Sequence, residues 1–431
     1  MADRNGPIGA LNPSARLAAH TPAGENIFFG FHDISPWSPD GSRLLCLRLN
    51  PEWQSMADTA QTAEICLWNP DDGLLTPVGK TECWNFQQAA RQQWLPDGSG
   101  RIAYNRLDNA GSCTGIIANP DGEVTRHIKG GIYAISPCAT WALAPDFETL
   151  TRNWPAYGYA SLTDPEKPSG QGNIDAGITR IDLRNGEAST LISLADVIER
   201  WKPGLPTDGH FLTHPSISPS GQRIVFLHRF FAEDEGSFTR LISCDPQGRN
   251  MAVLAEEKVS HFDWLDDDTL LVWARYTGGG LAAMRASGRL NSPWLRPVVN
   301  LARKFSGRWK KRVLAESYFA VDVDTGRREK FGWPSLDVDG HPMVARSHDW
   351  LVTDTYPDKR GLMSLILWNH SRNLREDIAR IGDGVLSTDS DAKCDLHPRW
   401  NRIENQIAVD HCVAGIRRIS IFDVSRIVGA S

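Results

Sequence analysis

Two short patterns of apolar and polar positions alternate along this chain. The first is an apolar or aromatic run, a turn usually built on Pro, Asp or Gly, and a second apolar run. It reads "SPWSPDGSRLLCL" from Ser35, "QWLPDGSGRIAY" from Gln93, "AISPCATWALA" from Ala134 and "SISPSGQRIVFL" from Ser216. Weaker copies are "FDWLDDDTLLVW" from Phe262, "MVARSHDWLVTD" from Met343 and "HPRWNRIENQIAV" from His397. The second pattern, a run ending in an Asp- or Asn-rich turn such as "CLWNPDDG", "RIDLRNG" or "AVDVDTG", follows each copy of the first. Such turn residues supply the positive φ, local capping or preset φ that tight hairpins require. Seven alternating pairs, spaced at roughly 60 residues, predict seven antiparallel sheets of about four strands each, the period of a propeller blade with loop insertions.

Helical periodicity is scarce, limited to "ISLADVIERW" after Leu191 and part of the stretch from Ala286 to Ala315. The expected fold is therefore all-β, a single seven-bladed β-propeller over 26–431, preceded by an N-terminal extension over 1–25. Insertions are expected at about 147–178 and 277–316. Long loops in a compact domain are usually functional or disordered, and the aromatic "NWPAYGYA" predicts a lid carrying Tyr157 and Tyr159.

Composition changes this picture little. Hydrophobic residues make up 41% and charged residues 23% of 431, a balance that allows a large core. The net charge of -6 is spread over both signs, which argues against nucleic acid as a partner. Neither a signal-peptide core nor a membrane-length apolar run is present, so a cytoplasmic location is expected. The basic stretch 303–313, "RKFSGRWKKRV", predicts at most a weak contact with an anionic membrane surface. The eight cysteines are scattered and read mostly as small buried hydrophobes.

In a propeller, residues just before each innermost strand and just after the second strand share one face. The lead-in segments carry His32, then Gln87, Gln88 and Arg91, then Tyr133, His210 with His214, His261, His341, and Cys394 with His397. The returning strands bring Asn105, Arg106, Asp146, His228, Arg229, Arg275, Asp354, Tyr356, Asp410 and His411 to the same rim. Singly, a histidine is more often structural than a ligand or base. Many of them around one funnel instead predict a metal or proton-transfer site. His261, His341 and His397 with Cys394, from three consecutive blades, form a possible divalent-metal set. A thiol would favour zinc, and a histidine-only set would suit manganese as well.

The segments "FFGFHDISPWSPDG", "WNFQQAARQQWLPDG", "HFLTHPSISPSGQRIVFLHR", "SHFDWLDDD", "TDTYPD" and "CDLHPRW" resemble propellers related to oligogalacturonate lyase and to ulvan and rhamnose-glucuronate lyases, with Tol-type propeller repeats more distantly similar. The resemblance implies cleavage of an acidic oligo- or polysaccharide by β-elimination at a uronic acid. Carried over by position, it implies His214 and His228 as base and acid with His210 as substitute. It makes Arg275 and then Arg229 the residues that neutralise the carboxylate, with Gln88, Asn105, Tyr157, Tyr159 and His32 on the substrate. The competing expectation is a non-catalytic propeller, either a protein scaffold or a carbohydrate-binding module.

Overall fold

The structure is a computed structural model that describes residues 8–163, 176–201, 209–231, 237–275, 316–382 and 390–429. Seven antiparallel sheets form a ring, six of four strands and one of five. Their innermost strands are Asn26–Phe28, Gln93–Trp94, Ala134–Ile135, Phe211–Ile217, Val259–Trp264, Met343–Val344 and Arg399–Trp400. Each precedes or overlaps one copy of the first sequence pattern, so the blade order follows the sequence.

Side chains alternate across each strand, and both faces of a blade are apolar because each faces a neighbouring blade. Seven buried clusters result, one at each blade-to-blade junction. Leu47, Ile65 and Leu67 of the first blade meet Trp84, Trp94 and Ile116 of the second, for example, and Ile27 and Cys46 meet Ala408 and Ile421 where the seventh blade closes on the first. Several tryptophans add a latch at the end of an innermost strand. The indole N–H groups of Trp94, Trp264 and Trp400 donate to Pro36 O, Ser216 Oγ and Met343 O of the preceding blade. Such a bond satisfies the indole N–H while its ring is buried.

The segment read as an N-terminal extension contributes strands of its own. Ile8–Leu11 becomes the fifth strand of the sixth blade, and Arg16–His20 becomes the outermost strand of the seventh, pairing with Ile416–Asp423. Both are largely exposed edge strands, so they lack the apolar alternation that marks inner strands. Removing residues 1–21 should strip the seventh blade of its outer strand. The expected loss of about 2 kcal/mol or more would lower the thermal midpoint by roughly 2 °C or more, and an unchanged midpoint in a melting experiment would rule out this closure.

The predicted helix after Leu191 is present as Leu194–Trp201. A second helix, Phe147–Asn153, opens the first insertion, with Asp146 capping it by accepting from Thr149 N at 2.6 Å. It carries Trp154 and Tyr157 back over the funnel. The stretch 303–313 lies outside the described residues, as does nearly all of the 277–316 insertion.

Candidate functional site

Two devices turn the blade ends into a site. In the second, third, sixth and seventh blades the innermost strand is only two residues long, because the chain ahead of it leaves the ladder and fills the funnel. In the fourth and fifth blades the innermost strand is longer but bulged. Register shifts by one residue between Thr213 and Ser216 and between Val259 and Phe262. A bulge re-aims a side chain, and here the bulged segments carry His214 and His261.

His214 sits at φ +53 and His397 at φ +43, each before a proline. That conformation costs a bulky residue about 1–3 kcal/mol, and the surrounding packing holds it. Asp and Asn residues at the end of second strands do part of this work. Asn105 bonds Ile132 N and O, Asp410 accepts from Phe29 N and Gly30 N, and Asp354 accepts from the N–H groups of His341 and His397. Gly30 itself has φ +108, and a Cβ there would lie 2.9 Å from Ala89 Cβ.

The result is a set of buried imidazoles. His32, His261, His341 and His397 pack ring to ring, with centroids 4.2 Å apart for His261–His341 and 4.4 Å for His341–His397. His32 lies 5.2 to 6.1 Å from the other three. Three of these rings are oriented through Nδ1, which donates to Asp339 (3.0 Å) in His261, to Asp354 (2.9 Å) in His341 and to Gly30 O (2.7 Å) in His397. Their Nε2 atoms are left for other partners. That of His397 is buried with none among the described residues, and that of His261 is 3.4 Å from the Tyr356 hydroxyl. Burial holds His32 and His341 well below the ordinary imidazole range and pushes His397 down to about 4, so these rings are neutral near pH 7.

His341, Asp395 and His397 place one ligand atom each within 4.8 Å of one another. Histidines held through Nδ1, an orphaned Nε2 and a carboxylate make a set that fits a divalent cation, with His261 beside it. Cys394 is not part of this group, a correction to the sequence reading. Asp395 accompanies His397 in the group, while Cys394 lies in the small apolar contact with Cys412. Lys393, 3.0 Å from Asp395 and 4.5 Å from the Tyr356 ring, balances the carboxylate.

A second group faces the first across Phe31, whose ring touches His397 at 5.5 Å and His214 at 5.2 Å. Around His214 lie Tyr157 (5.4 Å), Trp154 and Tyr133 (both 6.1 Å). Burial lowers the His214 pKa well below its usual value, with the Arg229 charge second. Arg229 stacks on Trp154 at 4.1 Å, and its Nε is buried without a partner among the described residues. Among the described residues this guanidinium has no carboxylate at ion-pair distance, and burial lowers its pKa to about 10.

Other sequence-picked residues lie elsewhere. His228 follows the strand alternation to the face opposite Arg229. Its Nδ1 accepts from Arg240 (3.2 Å), so its Nε2–H donates to His210 Nδ1 (3.0 Å). Among the described residues the pair joins side chains of the fourth blade, and no hydrogen bond links it to His214. Arg275 is held by Glu316 at 2.6 Å, with Lys258 on the same carboxylate at 3.0 Å. Asn105 and Tyr159 bond each other at 2.8 Å, and Tyr159 stacks on Phe147 in the core. Gln88 donates to the Tyr133 hydroxyl at 2.8 Å and leaves its Oε1 buried without a partner among the described residues.

Neither a protein-family model nor a curated protein matches the chain. Solved structures do. An oligogalacturonate lyase from Vibrio parahaemolyticus is similar over 97% of this chain and 98% of its own, at 12% identity and a TM-score of 0.58. An oligogalacturonate lyase in complex with manganese is similar over 97% and 96%, at 14% identity and a TM-score of 0.56. The seven-bladed propeller of this chain is thus a full-length structural counterpart, in fold, of the oligogalacturonate lyases that its lead-in segments resemble.

Proposed function

We propose that this propeller is a lyase that cleaves an oligosaccharide containing uronic acid by β-elimination in its funnel. The observation that carries the reading is Arg229, a buried guanidinium left without a carboxylate among the described residues, beside a neutral His214. Its planar fork matches a sugar carboxylate. Pairing with that group makes the neighbouring C5 proton more acidic.

His214 Nδ1 lies 2.9 Å from the Thr213 hydroxyl. With Nδ1–H donating there, Nε2 carries the lone pair and takes the C5 proton. The electrons of that C–H bond form the C4–C5 double bond, and the C4–oxygen bond breaks. Tyr157, whose hydroxyl has no partner among the described residues, donates its proton to the leaving oxygen. Phe31 and Trp154 exclude water and orient the rings. His341, Asp395 and His397, with His261, would hold a divalent cation, which would supply positive charge to the site when bound. With a carboxylate in place of a thiol, the set suits manganese as well as zinc.

The assay is the near-ultraviolet absorbance of the unsaturated uronate product, followed with purified protein and a panel of uronate oligosaccharides. Protein that is folded yet neither turns over nor binds any of them would end this reading in favour of a scaffold. Because burial lowers the His214 pKa, its neutral form persists into acid. The acid limb of kcat/KM should therefore fall below pH ~6.5, the ordinary imidazole value. An acid limb above that value would exclude His214 as the base.

A further inference from the structure

The segment that carries Lys393, Asp395 and His397 has no strand to hold it, since the seventh blade's innermost strand begins only at Arg399. Its backbone carbonyls are nevertheless taken one after another. Gln87 Nε2 donates to Asp391 O and to Lys393 O, each at 3.3 Å. Arg417 donates to the carbonyl between them, that of Ala392. Gln87 belongs to the second blade and lies 304 and 306 residues from its two acceptors.

Gln87 is itself fixed. Its backbone N–H and that of Gln88 both donate to Asn85 Oδ1, at 3.0 and 2.7 Å, and Asn85 and Ala89 form an isolated bridge. Further along the same buried loop, Gln92 donates to Phe29 O, and Arg91 clamps Asp33 through two bonds of 2.8 Å. One loop from the second blade thus grips the lead-in segments of the first and seventh blades. A primary amide suits this task because its two N–H groups can serve two carbonyls. We infer that Gln87 is a positioning residue for the His341–Asp395–His397 centre, setting where Asp395 and His397 stand by holding the carbonyls of Asp391 and Lys393.

The inference rests on the proposed metal centre, and its test separates the two. Gln87→Met keeps the length and removes both donors, and Gln87→Glu keeps the polarity but offers only acceptors. Manganese alone is titrated by calorimetry into wild type and both variants, and amide hydrogen exchange is followed over 391–397. Loss of a residue that orients metal ligands typically weakens metal binding by about 10–100-fold. That loss is expected in both variants, with faster exchange in the segment and a nearly unchanged thermal midpoint. Wild-type manganese affinity and exchange in both variants would overturn the inference. If wild type binds no manganese the metal reading falls, and exchange alone then decides whether Gln87 holds the segment.

Discussion

Replacing His214 by alanine is expected to lower kcat on a uronate oligosaccharide by about 10²–10⁴-fold, the usual contribution of a positioned general base. Because His214 occupies a left-handed backbone conformation at a bulge, His214→Asn should lose as much turnover without losing stability, as asparagine tolerates that conformation. Arg229→Ala should depress kcat/KM by about 10²–10³-fold, the scale of one lost charge-stabilising donor. Arg229→Lys should recover only part of this, since a point charge neither forks onto a carboxylate nor stacks on Trp154 in the same way. The internal control is His228. His228→Ala breaks the chain to His210 and Arg240, so it should cost stability and leave the kcat of the remaining folded protein within a few-fold. Steady-state kinetics beside thermal melts decide. If His228→Ala lost as much kcat as His214→Ala in folded protein, the assignment of the base would move.

The second large effect is expected at Asp395. Asp395→Asn should weaken manganese binding by at least ~100-fold, more than loss of an orienting neighbour. Cys394→Ala, one residue away, should leave it unchanged, because that thiol packs on Cys412. A chelator should remove activity from wild type, and added manganese should restore it. Equal losses in the two variants would return the thiol to the ligand set, and indifference to both would remove the metal from the mechanism.

The architecture was legible because it rests on local chemistry. Pro-Asp-Gly and Asn-rich turns between apolar runs fix hairpins wherever they occur, and seven of them leave few alternatives. The shared face was legible too, since His32, His214, His261, His341 and His397 all meet in the funnel. Side-chain direction was less so. Alternation between His228 and Arg229 would have kept only Arg229 beside His214, whereas "KCDLHP" forms no strand whose alternation could have placed Asp395 with His397. No local signal could have shown that Asn105 spends its amide on Ile132 or that Glu316 occupies Arg275, because those partners are set by packing between distant segments. The strands near the N-terminus were missed for a related reason. An outermost strand has little apolar face to betray it.

The way the ring is shut also gives the protein a history. Arg16 is bonded to Asp423, 407 residues later, so the Arg16–His20 strand, once made, has no partner until Ile416–Asp423 has followed it. Contacts so far apart in sequence form slowly, and the seventh blade's edge waits unprotected during synthesis, when exposed strand edges invite aggregation. The centre inherits the same schedule. Its rings come from the first, fifth, sixth and seventh blades, and its brace comes from the second. A half-made chain therefore holds neither the complete ligand set nor the grip that aligns it, and the chemistry arrives only as the circle closes.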